Sequence, residues 1–335
     1  MLTSGSDIIY YYLYYTRNGI KGTERMAIVV LGNVFIDVKG FPEDAYIPKG
    51  RNAGSVQITH GGVGRNVAED IANMELRPVF VSMVDDDEQG EAVIKKLRNH
   101  RVNTDYVLKT ENGMGMWLAV FDSTGDIAAS ISRRPEMGEL AKLIEEKGDE
   151  IFKDADSIVL EIDMDKEIIK SVLKFAKKYG KKVIAVVANM SIFAQRRDLI
   201  KSIDCFVCNK QEAGILFASD FEKLDAEQMC ETLSGCVVDG QIPSMVVTMG
   251  AEGSVWADIH GGRGIQSAQH VGVKDTTGAG DAFCAGVAAG LTYGKSLSDA
   301  VEIGTRLASS VIVTSENVCP RFMPRELGLD VEVEE

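Results

Sequence analysis

Positive charge is scarce in this 335-residue chain: 36 Lys and Arg stand against 50 Asp and Glu, a formal net charge of −14. Binding to a phosphate backbone depends on clustered cations, so the balance argues against a nucleic-acid partner and for a small molecule. An acidic protein can still hold an anion where backbone dipoles and a divalent cation offset the net field. Histidine is equally sparse, and His60, His100, His260 and His270 are too dispersed for a metal cluster or a triad. The six cysteines, Cys205, Cys208, Cys230, Cys236, Cys284 and Cys319, make no disulfide framework in a chain too large to need one, which fits a reducing cytoplasm. Cys205 and Cys208 have C-x-x-C spacing, yet they lie in an apolar strand-like run without a second pair and read as buried strand thiols. A membrane span is missing too: the stretch Ile8 to Tyr15 is tyrosine-rich, too short for a bilayer, and lacks a basic flank or small-residue cleavage site. Residues 1–25 therefore read as an extension outside the fold, and the acidic residues 329–335 as a tail.

What is present suits a folded α/β chain. At 45% hydrophobic and 26% charged it can bury a full core, and neither an internal repeat nor a long linker divides it. Continuous apolar runs such as Ala27–Leu31, Val79–Val84, Ile158–Ile162, Val183–Val187 and Met245–Met249 predict strands buried on both faces. Between several of them lie helical periods. Lys166 to Tyr179 carries Ile169, Val172, Leu173 and Ala176 on one side and stops at Gly180. Met116–Asp122 and Asp126–Ser132 flank a Ser123-Thr124-Gly125 turn and predict a hairpin, which with Ser55–His60 can form a small β-lid.

The strongest chemical signal is Asp275-Thr276-Thr277-Gly278-Ala279-Gly280-Asp281, a glycine turn running into a small-residue helix. Gly278 and Gly280 permit close backbone approach, and the helix start offers unpaired N–H groups and a positive dipole end to an anion. Asp281 stands at that start, where the dipole is expected to keep it ionised and ready to accept a hydroxyl proton. No Lys-Ser or Lys-Thr follows the glycines, which disfavours a P-loop. A second glycine turn, Gly61-Gly62-Val63-Gly64-Arg65-Asn66, leads into a helix with Val67, Ile71 and Met74 in phase; Asn66 can both donate to and accept from sugar hydroxyls. Asn33 and Asp37 follow the first strand, at the edge where open α/β sheets bind ligands.

Together these motifs resemble the two signatures of the PfkB/ribokinase family of carbohydrate and nucleoside kinases, and the likeness runs from Met26 to about Leu327. The resemblance implies a ribokinase-like three-layer α/β/α fold over 26–328, with a mostly parallel central sheet and a β-lid from about 36–60 and 113–135. It implies transfer of the γ-phosphoryl group of ATP to a hydroxyl, with Asp281 as base and the amides of Gly278, Ala279 and Gly280 stabilising the transferred charge. Asn33, Asp37, Gly61, Gly62 and Asn66 would hold the acceptor; Asn209, Thr248, Gly250, Gly253 and Asn317 would hold the nucleotide. Glu212, in an N-x-x-E element, would organise Mg2+ through water, and backbone near Asp275 a monovalent cation such as K+. A homodimer through the lid is expected.

Among acceptors, Arg65 in the glycine motif is similar to the pseudouridine-kinase branch, which puts that nucleoside first and ribose or fructose next. The chain departs from the family at Asp85, at Arg133-Arg134-Pro135 and at Ala188-Asn189. The last two departures motivate a reading from another class, a sugar or nucleotide sensor without turnover.

Overall fold

A computed structural model describes residues 27–188 and 197–329. The expectations for residues 1–25, for Asn189 and for Asp330–Glu335 lie outside the described residues.

The chain opens with β1 (Ile28–Leu31), β2 (Phe35–Pro42), β3 (Gly54–Gly61), α1 (Val63–Asn73), β4 (Val79–Asp85), α2 (Glu88–Asn99) and β5 (Asn103–Thr110). After the hairpin of β6 (Gly115–Phe121) and β7 (Ile127–Arg133) come α3 (Gly138–Phe152), β8 (Ser157–Glu161), α4 (Lys166–Tyr179) and β9 (Lys182–Val186). The rest comprises β10 (Cys205–Asn209), α5 (Lys210–Phe217), α6 (Ala226–Gly240), β11 (Ser244–Thr248), β12 (Ser254–Asp258), β13 (Arg263–Gln266), α7 (Ala279–Thr292) and α8 (Leu297–Val311).

Nine strands make one sheet in the order β13-β12-β11-β10-β9-β8-β1-β4-β5, parallel except where β12 pairs antiparallel with β11 and β13. Its central strands are apolar along most of their length because helices cover both faces. On one side α3, α4 and α6 pack through Ile144, Phe152, Ile169, Val172 and Leu233; on the other α1, α2, α7 and α8 pack through Ile71, Leu97, Val287 and Leu307. The helix limits follow local chemistry. Gly180 ends α4 in a left-handed conformation at φ 63°, and Ser296 caps α8 by accepting from the Asp299 N–H at 3.1 Å.

A second sheet, β3-β2-β6-β7, forms the expected lid: β2 runs antiparallel to β3 and parallel to β6, and β6 and β7 are the predicted hairpin. Arg133 and Arg134, where the chain departs from the family it resembles, tie this hairpin to the main body. Arg133 donates to Asn112 Oδ1 at 2.7 Å, and Arg134 donates to the Asp163 carbonyl at 3.0 Å. Asp85, another departure, accepts the Met114 N–H at 2.9 Å at the root of the same hairpin. Cys205 and Cys208 are buried free thiols within β10, as expected for strand residues. No helix among the described residues is long and apolar enough to cross a membrane.

Backbone meets backbone where α1 crosses the end of β1. A Cβ on Gly32 would sit 2.6 Å from Gly64 Cα. Replacing Gly64 by Ala should therefore destabilise the fold by about 1–3 kcal/mol, because the overpacked contact is backbone and cannot turn aside. A lowered urea midpoint with unchanged m-value would record it; an unshifted midpoint would show that the contact relaxes freely.

Candidate active site

The strand order turns back between β1 and β8, since β4 and β5 extend from one and β9 to β11 from the other. Ligands in open α/β sheets bind at the carboxyl ends of strands at such a point. Here Asn33 follows β1 and Glu161 ends β8, both buried. The Asn33 N–H and Nδ2 donate to Glu161 at 2.9 and 2.5 Å, and the Gly64 N–H donates to the same carboxylate at 3.1 Å. Burial raises the Glu161 carboxyl above its ordinary value, and these hydrogen bonds oppose the rise. Asn33 is thus turned by Glu161, a residue the sequence reading passed over as part of a strand. Its signal was available: an acid at the end of the wholly apolar run Ile158-Val159-Leu160.

Asp37 lies on β2 in register with Trp117 of β6 and Thr59 of β3, so all three share one lid face. A Cβ on Gly61 would overlap the Asp37 carboxylate, which therefore rests against the glycine turn. Burial raises the Asp37 carboxyl, with Lys39 and Arg65 drawing it back. Gly62 at φ 99° turns the chain into α1, a conformation a side chain disfavours.

Asn66, in the first turn of α1, reaches the other glycine motif. Its Nδ2 donates to Asp281 Oδ2 at 2.6 Å, joining residues 215 apart in sequence. This corrects the picture of Asn66 with both ends free for an acceptor: the amide nitrogen serves Asp281, while Oδ1 is buried without a partner among the described residues. A second correction concerns Asp281 itself. Burial pushes its carboxyl up to about 7, against the lowering pull of Asn66 and then Arg65. Desolvation outweighs the helix dipole, so the group divides between acid and base near neutrality.

Arg65, the residue that carries the likeness to the pseudouridine-kinase branch, is turned into the protein. It is fully buried, bonded to Glu69 at 2.6 Å and donating to the His60 and Gly61 carbonyls. Lys96 of α2 closes on Glu69 from outside at 3.1 Å. Burial works to raise the Glu69 carboxyl, but Arg65 and Lys96 together carry it below its ordinary value.

On the far side of Asp281, α7 starts at Ala279 with Gly278 as its N-cap at φ 83°. First-turn amides of an α-helix have no carbonyl behind them to bond, so those of Gly280 and Asp281 suit an anion. Ala279 differs from the expectation, since its N–H already donates to the Thr276 carbonyl at 3.2 Å. Beside this helix start lies a cavity of about 400 Å³, lined by Thr248, Gly250, Gly253, Ala279, Gly280, Phe283, Thr305 and Ser309. That volume matches a small-molecule pocket.

Asn209 and Glu212 sit next to it in a capping box at the start of α5: Asn209 Oδ1 accepts the Glu212 N–H at 2.9 Å, and Glu212 Oε2 accepts the Asn209 N–H at 2.8 Å. Burial raises the Glu212 carboxyl to about 6. Its second oxygen takes no part in the box, which leaves one acceptor, enough for a magnesium ion that keeps most of its waters. Among the described residues no three His, Cys, Asp or Glu side chains group as a metal cage. Asp275 accepts the Thr277 N–H at 2.9 Å and stiffens the turn before Gly278. Asn317 is a third correction: it does not line the cavity, and its Nδ2 donates to the His60 carbonyl at 3.0 Å.

A partly buried carboxylate at a helix start, flanked by an apolar cavity on one side and by the polar groups of Asn33, Asp37 and Asn66 on the other, suits a phosphotransferase acting on an alcohol. The chain belongs to the pfkB family of carbohydrate kinases, whose family pattern matches residues 26–321. It is 32% identical over 296 residues to a guanosine-inosine kinase of Exiguobacterium acetylicum, covering 87% of this chain and 95% of that one. It is 25% identical over 306 residues to the pseudouridine kinase of Escherichia coli K12, covering 86% and 91%. In fold it is similar to Arabidopsis thaliana ribokinase complexed with ribose and ATP, with a TM-score of 0.79 at 24% identity over 92% of this chain and 99% of that one.

The Asp281 carboxyl predicts a pH dependence. A proton acceptor works only when ionised, so kcat/KM should rise with pH through an inflection near 7. Asn66→Ala removes a hydrogen bond that lowers this carboxyl and should move the inflection upward. Replacement of Asn66 without any displacement of the pH profile would dissociate the two residues. Stability runs the other way: ionising a group whose folded value is raised weakens the fold as pH climbs from about 4 to 7. Asp281→Asn should therefore melt higher than the parent at pH 8 and alongside it at pH 4.

Proposed function

We propose that the chain transfers the γ-phosphoryl group of ATP to a hydroxyl of a purine nucleoside, with guanosine and inosine the first acceptors to test. The observation that carries this reading is the 2.6 Å hydrogen bond between Asn66 and Asp281, because it brings the acceptor turn and the anion turn to one point. The acceptor lies against Asn33, Asp37, Gly61, Gly62 and Asn66. Asp281 takes the hydroxyl proton as the oxygen attacks the γ-phosphorus, the bond to the bridging oxygen breaks, and ADP leaves. Amides of Gly278 and Gly280, with a smaller share from Ala279, stabilise charge on the group in transit.

The adenine side of ATP fits the cavity beside Thr248, Gly250 and Gly253, with Asn209 next to the phosphates. Magnesium, bound with the nucleotide, neutralises phosphate charge; Glu212 is the residue that would hold its waters. Backbone near Asp275 is the candidate for a monovalent cation. The lid excludes water from the transfer, which otherwise competes with the alcohol.

The guanosine-inosine kinase likeness supports a nucleoside acceptor, and so does Trp117, which shares the lid face of Asp37 and offers an apolar surface where a base would extend from a bound ribose. Pseudouridine is the second reading. Arg65, which suggested it, supports the glycine turn and is too buried to meet a base. Ribose and fructose follow.

The opposite lid face supports a homodimer. Val56, Ile58, Leu118 and Ile131 project from it, with Ile58 60% and Ile131 72% exposed, an apolar surface that a second copy would cover. The free buried thiols support a cytoplasmic location.

ADP release measured over a panel of nucleosides and sugars tests the acceptor. Guanosine and inosine should exceed pseudouridine and ribose in kcat/KM, and a reversed order would displace the purine reading. Asp281→Asn should lower kcat by a factor of about 10³ or more while ATP still binds. Ligand binding without turnover on any acceptor would favour a sensor instead. Ile58→Asp should shift sedimentation from dimer to monomer, and an unchanged dimer would remove the lid from the interface.

A further inference from the structure

The two glycine turns of the site are held together by more than the Asn66–Asp281 contact. The His60 carbonyl, one residue before Gly61, receives two donors: Arg65 from α1 and Asn317 Nδ2, the latter at 3.0 Å. Asn317 also reaches the second turn, through its backbone. A Cβ on Gly278 would overlap the Asn317 carbonyl oxygen and would stand 2.9 Å from its Cα, so this residue lies directly on the N-cap of α7. One side therefore grips the strand end that delivers Gly61 and Gly62, and the other bears on the turn that delivers Gly280 and Asp281. The far side of the His60 carbonyl is braced as well, since Arg65 is fixed by Glu69 and Glu69 by Lys96.

We propose that Asn317 is a positioning residue: a strut that sets the distance between the acceptor turn and the anion turn, and hence the line along which the acceptor oxygen meets the transferring phosphorus. It does not line the cavity beside Thr248 and Gly250. In-line transfer is sensitive to such alignment, since a misplacement of about 1 Å can lower a rate by about 10²-fold. The inference rests on the assignment of the two turns given above.

The test measures steady-state transfer and total ADP release for Asn317→Ala and for Asn317→Asp, which keeps the size but loses the donor facing a carbonyl. Both variants should lose about 10- to 100-fold in kcat while the KM for ATP stays within about twofold, the signature of an interaction that acts on the transition state and not on binding. The ratio of ADP formed to acceptor phosphorylated should rise, because attack by water needs no aligned alcohol. A variant weakened only in folding would lose transfer and hydrolysis in proportion and would overturn the proposal. A large rise in ATP KM at constant kcat would also overturn it, by returning Asn317 to the nucleotide. Asp281→Asn is run alongside: if it keeps full turnover, the turns themselves are misassigned, whereas an inactive Asp281→Asn beside a fully active Asn317→Ala refutes the strut alone.

Discussion

A carboxylate partly withdrawn from water between two chain segments is the constraint that organises this molecule. Asp281 gains a dipole and first-turn amides from α7, and loses solvent to the elements around it. Desolvation prevails, so its proton affinity lies near neutrality instead of in the usual carboxylate range. A carboxyl of that strength can both hold and release a proton near neutral pH, and Asn66 moderates it through one short hydrogen bond.

Beneath the site lies a second layer of buried polarity. Glu161 orders Asn33 and Gly64; Glu69 orders Arg65, which orders the His60 and Gly61 carbonyls. Buried ion pairs are poor sources of net stability, because removing two charges from water offsets much of their attraction. Their value here is directional. Each fixes backbone groups near the cleft that apolar packing would leave free to rotate. Asp70 belongs to the same layer: burial raises its carboxyl well above the ordinary value, and it accepts the Cys319 N–H at 2.6 Å, anchoring the segment that carries Asn317.

The lid separates two kinds of surface by the period of its strands. Along β6, Trp117 and Ala119 face the side of Asp37, while Met116 and Leu118 face away. Trp117 meets Phe121 edge to face at 6.5 Å, and Phe121 stacks on Phe41 at 4.9 Å. Aromatic area thus shares the face of Asp37 and the exposed aliphatic residues the opposite one, a division that one residue of register slip would invert. Arg133 and Arg134 hold the hairpin where this register meets the body, so the departure from the family pattern has a structural use.

Much of this was legible in the residues alone, for a physical reason. Buried strands, the limits of α4, the Ser296 cap and the lid hairpin depend on backbone geometry within a few positions, and a few positions are what a sequence displays. Thr248, Gly250 and Gly253 line one cavity because a glycine turn after a buried strand has few places to lie. What the chain could not display was which polar groups would face one another across long separations. Glu161 reads as one more strand residue until Asn33 comes to rest on it, and Arg65 reads as the mark of a family branch until Glu69 claims it. Asn317 reads as a nucleotide contact until the fold sets it against His60. The proton affinity of Asp281 belongs to the tertiary structure for the same reason: local sequence supplied the dipole, but only the packed neighbours could take away the water.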